Sequence, residues 1–281
     1  MNGMVFISGA SGGLGKAFAA ECAARGWDLF LTDISEPALQ AVATGLERLY
    51  GINARYYACD LIHPAARNRL WAHVEGNGLR FNFLINVAGL DHEGPFDERR
   101  VEELQTIIRL NIESTVEMTR RVLTFRDPDR TLHIINVSSL AAFYPMPVKA
   151  VYAASKRFIL DWSLALRQEL QSSNVTVTAL CPAGMPTNPQ CIKAIDAQGF
   201  MGRATTINVG DVAARTIDRA LYGQSIYVPG ILNQGLRFLG GLLPPSAVAF
   251  VIDRRWRRSH QKSKLNVSSW SAPASIDPLV G

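Results

Sequence analysis

The run Val5-Phe6-Ile7-Ser8-Gly9-Ala10-Ser11-Gly12-Gly13-Leu14-Gly15-Lys16 passes from an apolar segment into a glycine-rich turn, and an amphipathic stretch opens at Lys16-Ala17-Phe18. The spacing Gly9-x3-Gly13-x-Gly15 suits a tight strand-to-helix turn. Such a turn needs positive φ and no Cβ in the way of a ligand. The helix that follows offers its free N–H groups to a pyrophosphate. Eighteen residues past Gly15, a second apolar run ends in Asp33, where a carboxylate can accept hydrogen bonds from the ribose hydroxyls of a dinucleotide.

Outward from this turn, short β-branched or aromatic runs alternate with longer amphipathic ones. Met4–Gly9, Asp28–Asp33, Ala54–Ala58, Phe81–Val87, Leu132–Ser138, Val175–Leu180 and Ser225–Val228 read as strands, and stretches near 14–25, 36–50, 64–76, 97–124, 151–173 and 209–222 read as helices. Ser35 before Glu36-Pro37 and Asp211 before Val212–Leu221, with Gly223 after it, punctuate two of these helices. Continuous apolar strands alternating with helices predict an α/β fold: a doubly wound, parallel, seven-stranded Rossmann-like sheet with helices on both faces and a C-terminal extension. No linker interrupts the alternation. We expect one catalytic domain over 1–230, an apolar and basic extension over 231–258, and a disordered tail over 259–281.

The composition excludes several classes. Of 281 residues, 48% are hydrophobic and 19% charged, an ordinary globular balance. Cys22, Cys59, Cys181 and Cys191 stand at unrelated spacings, and His63, His73, His92, His133 and His260 form no ligand cluster, so neither disulfide framework nor metal is expected. The apolar run Met4–Ile7 is too short for a signal-peptide core and no apolar run reaches the ~20 residues a bilayer span needs, so a cytoplasmic protein is expected.

A second constellation carries chemistry. Asn136-Val137-Ser138-Ser139 is followed by Tyr152-Ala153-Ala154-Ser155-Lys156. Tyr and Lys four apart share one helix face, and an ammonium beside a phenol favours phenolate, which makes tyrosine a usable acid or base.

With these motifs in order over about residues 4–230, the chain resembles the short-chain dehydrogenase/reductase family. Gly9, Gly13 and Gly15 match its T-G-x3-G-x-G turn, with Ser8 for threonine; Cys59-Asp60-Leu61 matches the pair that meets adenine; Asn86-Val87-Ala88-Gly89 matches N-N-A-G, with valine for the second asparagine. Asn111, Ser139, Tyr152 and Lys156 match the catalytic tetrad, and Pro182 and Thr187 keep their places in a P-G-x-V-x-T segment that here reads Pro182-Ala183-Gly184-Met185-Pro186-Thr187. The resemblance implies pyrophosphate on Gly9, Ser11, Gly12, Gly13, Leu14 and Gly15, ribose on Asp33, adenine at Asp60 and Leu61, and the rest of the cofactor along Asn86, Ala88, Gly89, Tyr152, Lys156, Pro182 and Thr187. It also implies that Ser139 binds the substrate oxygen, Tyr152 moves the proton, Lys156 holds the nicotinamide ribose and depresses Tyr152, and Asn111 holds a water.

Asp33 faces the place of a 2′-phosphate, and neither Ile34 nor Gly12 supplies a compensating cation, so NAD is expected over NADP. Lys16 is the one cation near the turn. Residues lining the substrate side (His92, Phe143, Tyr144, Met146, Met185) are mostly apolar or aromatic, which suggests a hydrophobic secondary alcohol or ketone: steroid, bile acid or acyl derivative. The alternatives are an NADP-dependent 3-ketoacyl reductase and a non-catalytic NAD-binding regulatory protein. Family resemblance implies a homodimer or homotetramer.

The formal charge is +5, but residues 253–281 alone carry Arg254, Arg255, Arg257, Arg258, Lys262 and Lys264 against Asp253 and Asp277. The body is close to neutral, which argues against a nucleic-acid partner. The C-terminal segment is expected to serve as a pocket flap, an oligomer contact or a membrane-surface contact.

Overall fold

The computed structural model describes residues 4–185 and 206–254, the side chains of 239–242 excepted. Strands β1 (Met4–Ser8), β2 (Asp28–Asp33), β3 (Ala54–Ala58), β4 (Phe81–Asn86), β5 (Leu132–Val137), β6 (Val175–Leu180) and β7 (Ile226–Tyr227) form one sheet in the order β3-β2-β1-β4-β5-β6-β7. Every pairing is parallel. The chain winds from β1 to β3 on one side, then crosses back to β4 on the other. The crevice at the carboxyl ends of β1 and β4 is therefore the topological switch point, where open α/β sheets bind ligands.

Helices α1 (Gly13–Ala24), α2 (Glu36–Tyr50), α3 (Pro64–Gly76), α4 (Val101–Ile108), α5 (Thr115–Thr124), α6 (Ala150–Glu169) and α7 (Val209–Leu221) fall within the stretches read as helical, while α8 (Ile231–Leu242) and a further helix over 245–254 lie in the extension, which the sequence reading left without helices. Alternating strand residues face opposite layers. Val5, Ile7, Leu29, Leu31 and Ile85 pack with Leu14, Phe18 and Ala19 of α1 and with Val212 and Ile217 of α7. Phe6, Phe30 and Leu84 point the other way, onto Leu70 and Trp71 of α3 and Met118 and Val122 of α5. On that second face, Phe6 stacks on Trp71 at 5.5 Å between ring centroids, and Trp71 stacks on Phe125 at 5.6 Å.

Two details differ from the expectations. The cap of α7 is Asn208, whose Oδ1 accepts from the Gly210 amide at 2.7 Å; Asp211 sits inside the first turn instead. The stretch read as one helix over 97–124 starts at Val101 and is broken by a π-helical segment, Arg109–Ser114, between α4 and α5. Such a segment carries one extra residue per turn, and these segments are frequent at functional sites. The segment holds Asn111.

Candidate active site

The nucleotide end is built around missing side chains. Gly9 has φ 68°, and a Cβ there would lie 2.7 Å from the Ala88 amide nitrogen; a Cβ on Gly15 would overlap the Gly9 carbonyl. Backbone can pass this closely only with glycine at both positions. Gly12 caps α1 with no side-chain hydrogen bond, so the first helical amides are left for an anion. Ser8 Oγ accepts from the Val87 and Ala88 amides at 3.2 and 3.4 Å and ties the end of β1 to that of β4. Leu14 is buried in the core beneath the turn. These features fit a dinucleotide pyrophosphate at the switch point.

Asp33 is engaged by the turn itself: Oδ2 accepts from the Ser11 amide at 2.9 Å and Oδ1 from the Ile34 amide at 2.7 Å. Asp60 Oδ1 accepts from the Ile62 amide at 3.0 Å, which shapes the bend after β3. Leu61 is buried, and its carbonyl accepts from Arg67 at 2.6 Å. Arg67, a buried guanidinium on α3, also pairs with Glu117 at 2.6 Å and with Glu113, and so links the Asp60–Leu61 bend to the helix of Asn111. Sequence reasoning missed it. The signal was available only as an arginine on the inward, apolar side of α3.

Asn86 ends β4 with its side chain turned into the interior. Its side chain is buried under the sheet, where Nδ2 donates to Thr119 at 3.0 Å and to Asn136 at 2.8 Å, and Asn136 donates to Ser163 at 2.9 Å. Asn86 and Asn136 are register partners on β4 and β5. The network ties β4 and β5 to α5 and to α6, the helix that carries Tyr152 and Lys156.

The catalytic candidates converge beyond the β5 end. Lys156 is buried on α6, donates to the Val137 carbonyl at 2.9 Å, and lies 5.9 Å from the Tyr152 ring centroid. Burial lowers its pKa to about 8, although Asp91 and Cys181 favour its charge. A Cβ on Gly89 would meet both Lys156 Nζ and Asn111 Oδ1 at 3.2 Å, so Gly89 makes room for the pair. Asn111 clamps Leu90, accepting from its amide at 2.8 Å and donating to its carbonyl at 3.0 Å, and it also donates to Ser155 at 3.0 Å. Of the two adjacent serines, Ser138 is buried and donates to the Lys156 carbonyl at 2.7 Å; Ser139 is half-buried and accepts from the Ala141 amide at 3.1 Å. Ser138 thus holds α6, and Ser139 is the one with exposure towards a ligand.

The mouth is charged and strained. Lys149 pairs with Asp91 at 2.5 Å and Glu93 at 3.3 Å and lies 5.8 Å from the Tyr152 ring centroid. Burial opposes its charge, but the two carboxylates outweigh that and raise its pKa. Beside it, the β-branched Val148 adopts φ 61°, a left-handed conformation rare for such a residue, and its carbonyl accepts from the Gly94 amide at 2.8 Å. His92 and Phe96 share a small cavity with Val148, Lys149 and Tyr152. Tyr144 Oη is buried without a hydrogen-bond partner, and burial raises its pKa. Phe143 lies under the Arg237 guanidinium at 5.0 Å. Met146 accepts from the Lys149 amide at 3.2 Å through its carbonyl, and Pro182 does so from Leu140 at 2.8 Å. Met185 packs against the core layer that holds α1 and α7. Thr187 lies outside the described residues. Among the described residues no cluster of His, Cys, Asp and Glu is arranged to hold a metal ion. Burial raises the thiols of Cys59 and Cys181, to about 11 and 12.

The sequence pattern of the short chain dehydrogenases matches residues 3–193. The chain belongs to the short-chain dehydrogenase family. It carries that family's oxidoreductase fold. Human (Homo sapiens) 17-beta-hydroxysteroid dehydrogenase type 3 is 31% identical over 185 residues, 64% of this chain and 58% of that one. Very-long-chain 3-oxoacyl-CoA reductase-A of Danio rerio is 26% identical over 249 residues, 82% of this chain and 76% of that one. Several further 3-oxoacyl-CoA reductases align over only about half their length, such as 51% for that of Pyrenophora tritici-repentis. Among solved structures, a short-chain dehydrogenase from Sphingobium yanoikuyae in complex with NADPH superposes with a TM-score of 0.72 at 24% identity, covering 99% of this chain and 100% of that one.

That finding corrects the expectation of NAD over NADP: the similar family member was solved with NADPH. The charge argument took Asp33 as a carboxylate turned wholly to the ribose. In the structure both its oxygens accept backbone amides, so its charge is partly answered by the turn, and Lys16 stands exposed in the first turn of α1.

Proposed function

We propose that this chain is an NADPH-dependent reductase of a long, apolar ketone, of the 3-oxoacyl or ketosteroid type. The observation that carries the reading is the buried Lys156 ammonium beside the Tyr152 ring, at the end of the strand that also presents Ser139. Bound reduced nicotinamide supplies the hydride.

Everything else falls to the protein. The Gly9–Gly15 turn and the amides of α1 hold the pyrophosphate. Lys156 has three donors, of which the Val137 carbonyl takes one, and the others would hold ribose hydroxyls. Ser139 donates to the substrate oxygen, and Tyr152 gives that oxygen its proton as negative charge develops there. The charge on Lys156 stabilises the phenolate left behind, an effect strengthened by burial. Tyr144 Oη, buried without a partner, is a second donor available to a polar group of the substrate. Ketone class and chain length are supported by the named activities of the relatives, a 17-beta-hydroxysteroid dehydrogenase and 3-oxoacyl-CoA reductases.

The test is an absorbance assay of NADPH and NADH consumption with a long-chain 3-oxoacyl thioester, a 17-ketosteroid and a small polar ketone. We expect turnover with the apolar ketones and a lower KM for NADPH. Consumption with the small polar ketone alone would remove the substrate class, and a lower KM for NADH would remove the cofactor.

A further inference from the structure

No helix among the described residues is long and apolar enough to cross a membrane, and α8 lies instead beside the open edge of the sheet. There β7 is the last strand, and the Ser225 and Tyr227 carbonyls turn inward, to the Ala179 and Cys181 amides. By strand alternation the Ile226 and Val228 carbonyls turn outward. Gln224 Nε2 donates to the first at 2.8 Å, and Gln234 Nε2 to the second at 3.1 Å.

A cavity of about 650 Å³ opens on this edge, between β7, α7 and α8. Arg219 of α7 and Arg237 of α8 both line it, with the rings of Tyr227 and Phe238. Arg219 lies over the Tyr227 ring at 5.7 Å and donates to Gln224 Oε1 at 3.0 Å; Arg237 lies over the Phe143 ring at 5.0 Å. Among the described residues neither arginine has a carboxylate partner. Nor does any acid line the cavity there; Asp218, next to Arg219 in the chain, pairs with Arg25 at 2.8 Å.

These features make an anion site. Stacking on a ring occupies the face of a guanidinium and leaves its fork of N–H groups for oxyanions. The outward strand carbonyls, which would repel an anion, are answered by the two glutamine amides. The volume suits a small organic molecule rather than a single ion. Phe143 ends the short turn that Ser139 caps, so Arg237 joins the cavity to the residues expected on the substrate side.

We propose that this cavity binds the phosphate-bearing carrier of an acyl thioester, of the coenzyme A type, while the acyl ketone lies in the cleft. Arg219 and Arg237 take phosphate oxygens, and the exposed Phe238 ring packs on the carrier's base or alkyl arm. The proposal rests on the reductase reading for the ketone, but not for the anion.

The first measurement compares NADPH consumption with a long-chain 3-oxoacyl-coenzyme A and with the same acyl chain as its N-acetylcysteamine thioester, which has no phosphate. We expect a KM at least about tenfold lower for the coenzyme A ester. Arg219→Met with Arg237→Met should remove that advantage and leave kcat and KM for the phosphate-free ester unchanged, which also shows that the variant is folded. Equal KM values in the unaltered chain, or a double variant that weakens both esters alike, overturn the proposal. The second measurement is calorimetry of free coenzyme A with the cofactor site filled by NADP. Binding should weaken as salt rises and be lost in the double variant. No binding, or binding that the double variant keeps, overturns the anion site. If neither ester is turned over, the reductase reading falls, and the calorimetry alone decides the cavity.

Discussion

At the nucleotide end of the cleft, Gly9 and Gly15 let backbone meet backbone, and Ser8 and Asp33 use their side chains to tie down amides. At the mouth, the same cleft is held by Lys149 between two carboxylates and by Val148 in a left-handed conformation. The first end tolerates almost no added atom, because a clash with backbone has nowhere to relax. The second is made of exposed or half-buried charges, whose contributions solvent screens. Binding a common cofactor asks for the rigid kind of construction, and admitting one substrate rather than another asks for the adjustable kind.

Substitutions can break or sharpen this contrast. The largest effect is expected from Gly15→Ala, whose methyl group would overlap the Gly9 carbonyl; NADPH binding, followed by cofactor fluorescence, should be lost. Gly45→Ala is its control: that glycine lies inside α2 with open space around it, and unfolding should show a gain of about 0.5–1 kcal/mol. Tyr152→Phe should lower turnover by about 10²–10⁴-fold with NADPH affinity retained. Substantial remaining turnover would take the proton-transfer role away from Tyr152.

Lys156 sits between the two ends, and its test is pH. The folded protein holds its pKa near 8 against an ordinary 10.5. Below pH 8 both folded and unfolded chains carry the proton, so the cost of the buried charge is present in full, about 3 kcal/mol. It fades as the pH rises from 8 to 10.5 and is gone above that. Lys156→Met should therefore stabilise the cofactor-free protein at pH 7, by chemical unfolding, while turnover collapses; equal midpoints at pH 7 and pH 10 would contradict this. The smallest effect is expected at the mouth. Lys149→Met should raise the substrate KM a few-fold, with little change in NADPH affinity or stability, because Asp91 and Glu93 are themselves about a third exposed.

The nucleotide end was legible in the sequence because its construction is local. Glycines at 9, 13 and 15 and the acid at 33 act through neighbouring backbone, so their spacing carries the geometry. The seven strands were legible for the same reason, each a short apolar run between turn signals. The mouth was not. Nothing near Lys149 in the chain announces Asp91 and Glu93, and the left-handed Val148 follows no glycine or asparagine signal. Arg67 pairs with acids 46 and 50 residues away, and the Asn86 side chain joins two strands and two helices through Thr119 and Asn136, which no local pattern announces. The NAD expectation failed similarly: it weighed Asp33 as an isolated charge, without the two amides that the folded turn aims at it.

The π-helical segment at Arg109–Ser114 has a consequence for how this helix can change over time. It amounts to a one-residue insertion that the helix has absorbed without breaking. Each residue turns an α-helix by about 100°, so an extra residue left unabsorbed would rotate everything upstream relative to everything downstream by that angle. The wide turn takes up that rotation locally, so Glu117 on α5 meets Arg67 while Asn111, inside the wide turn, meets Leu90.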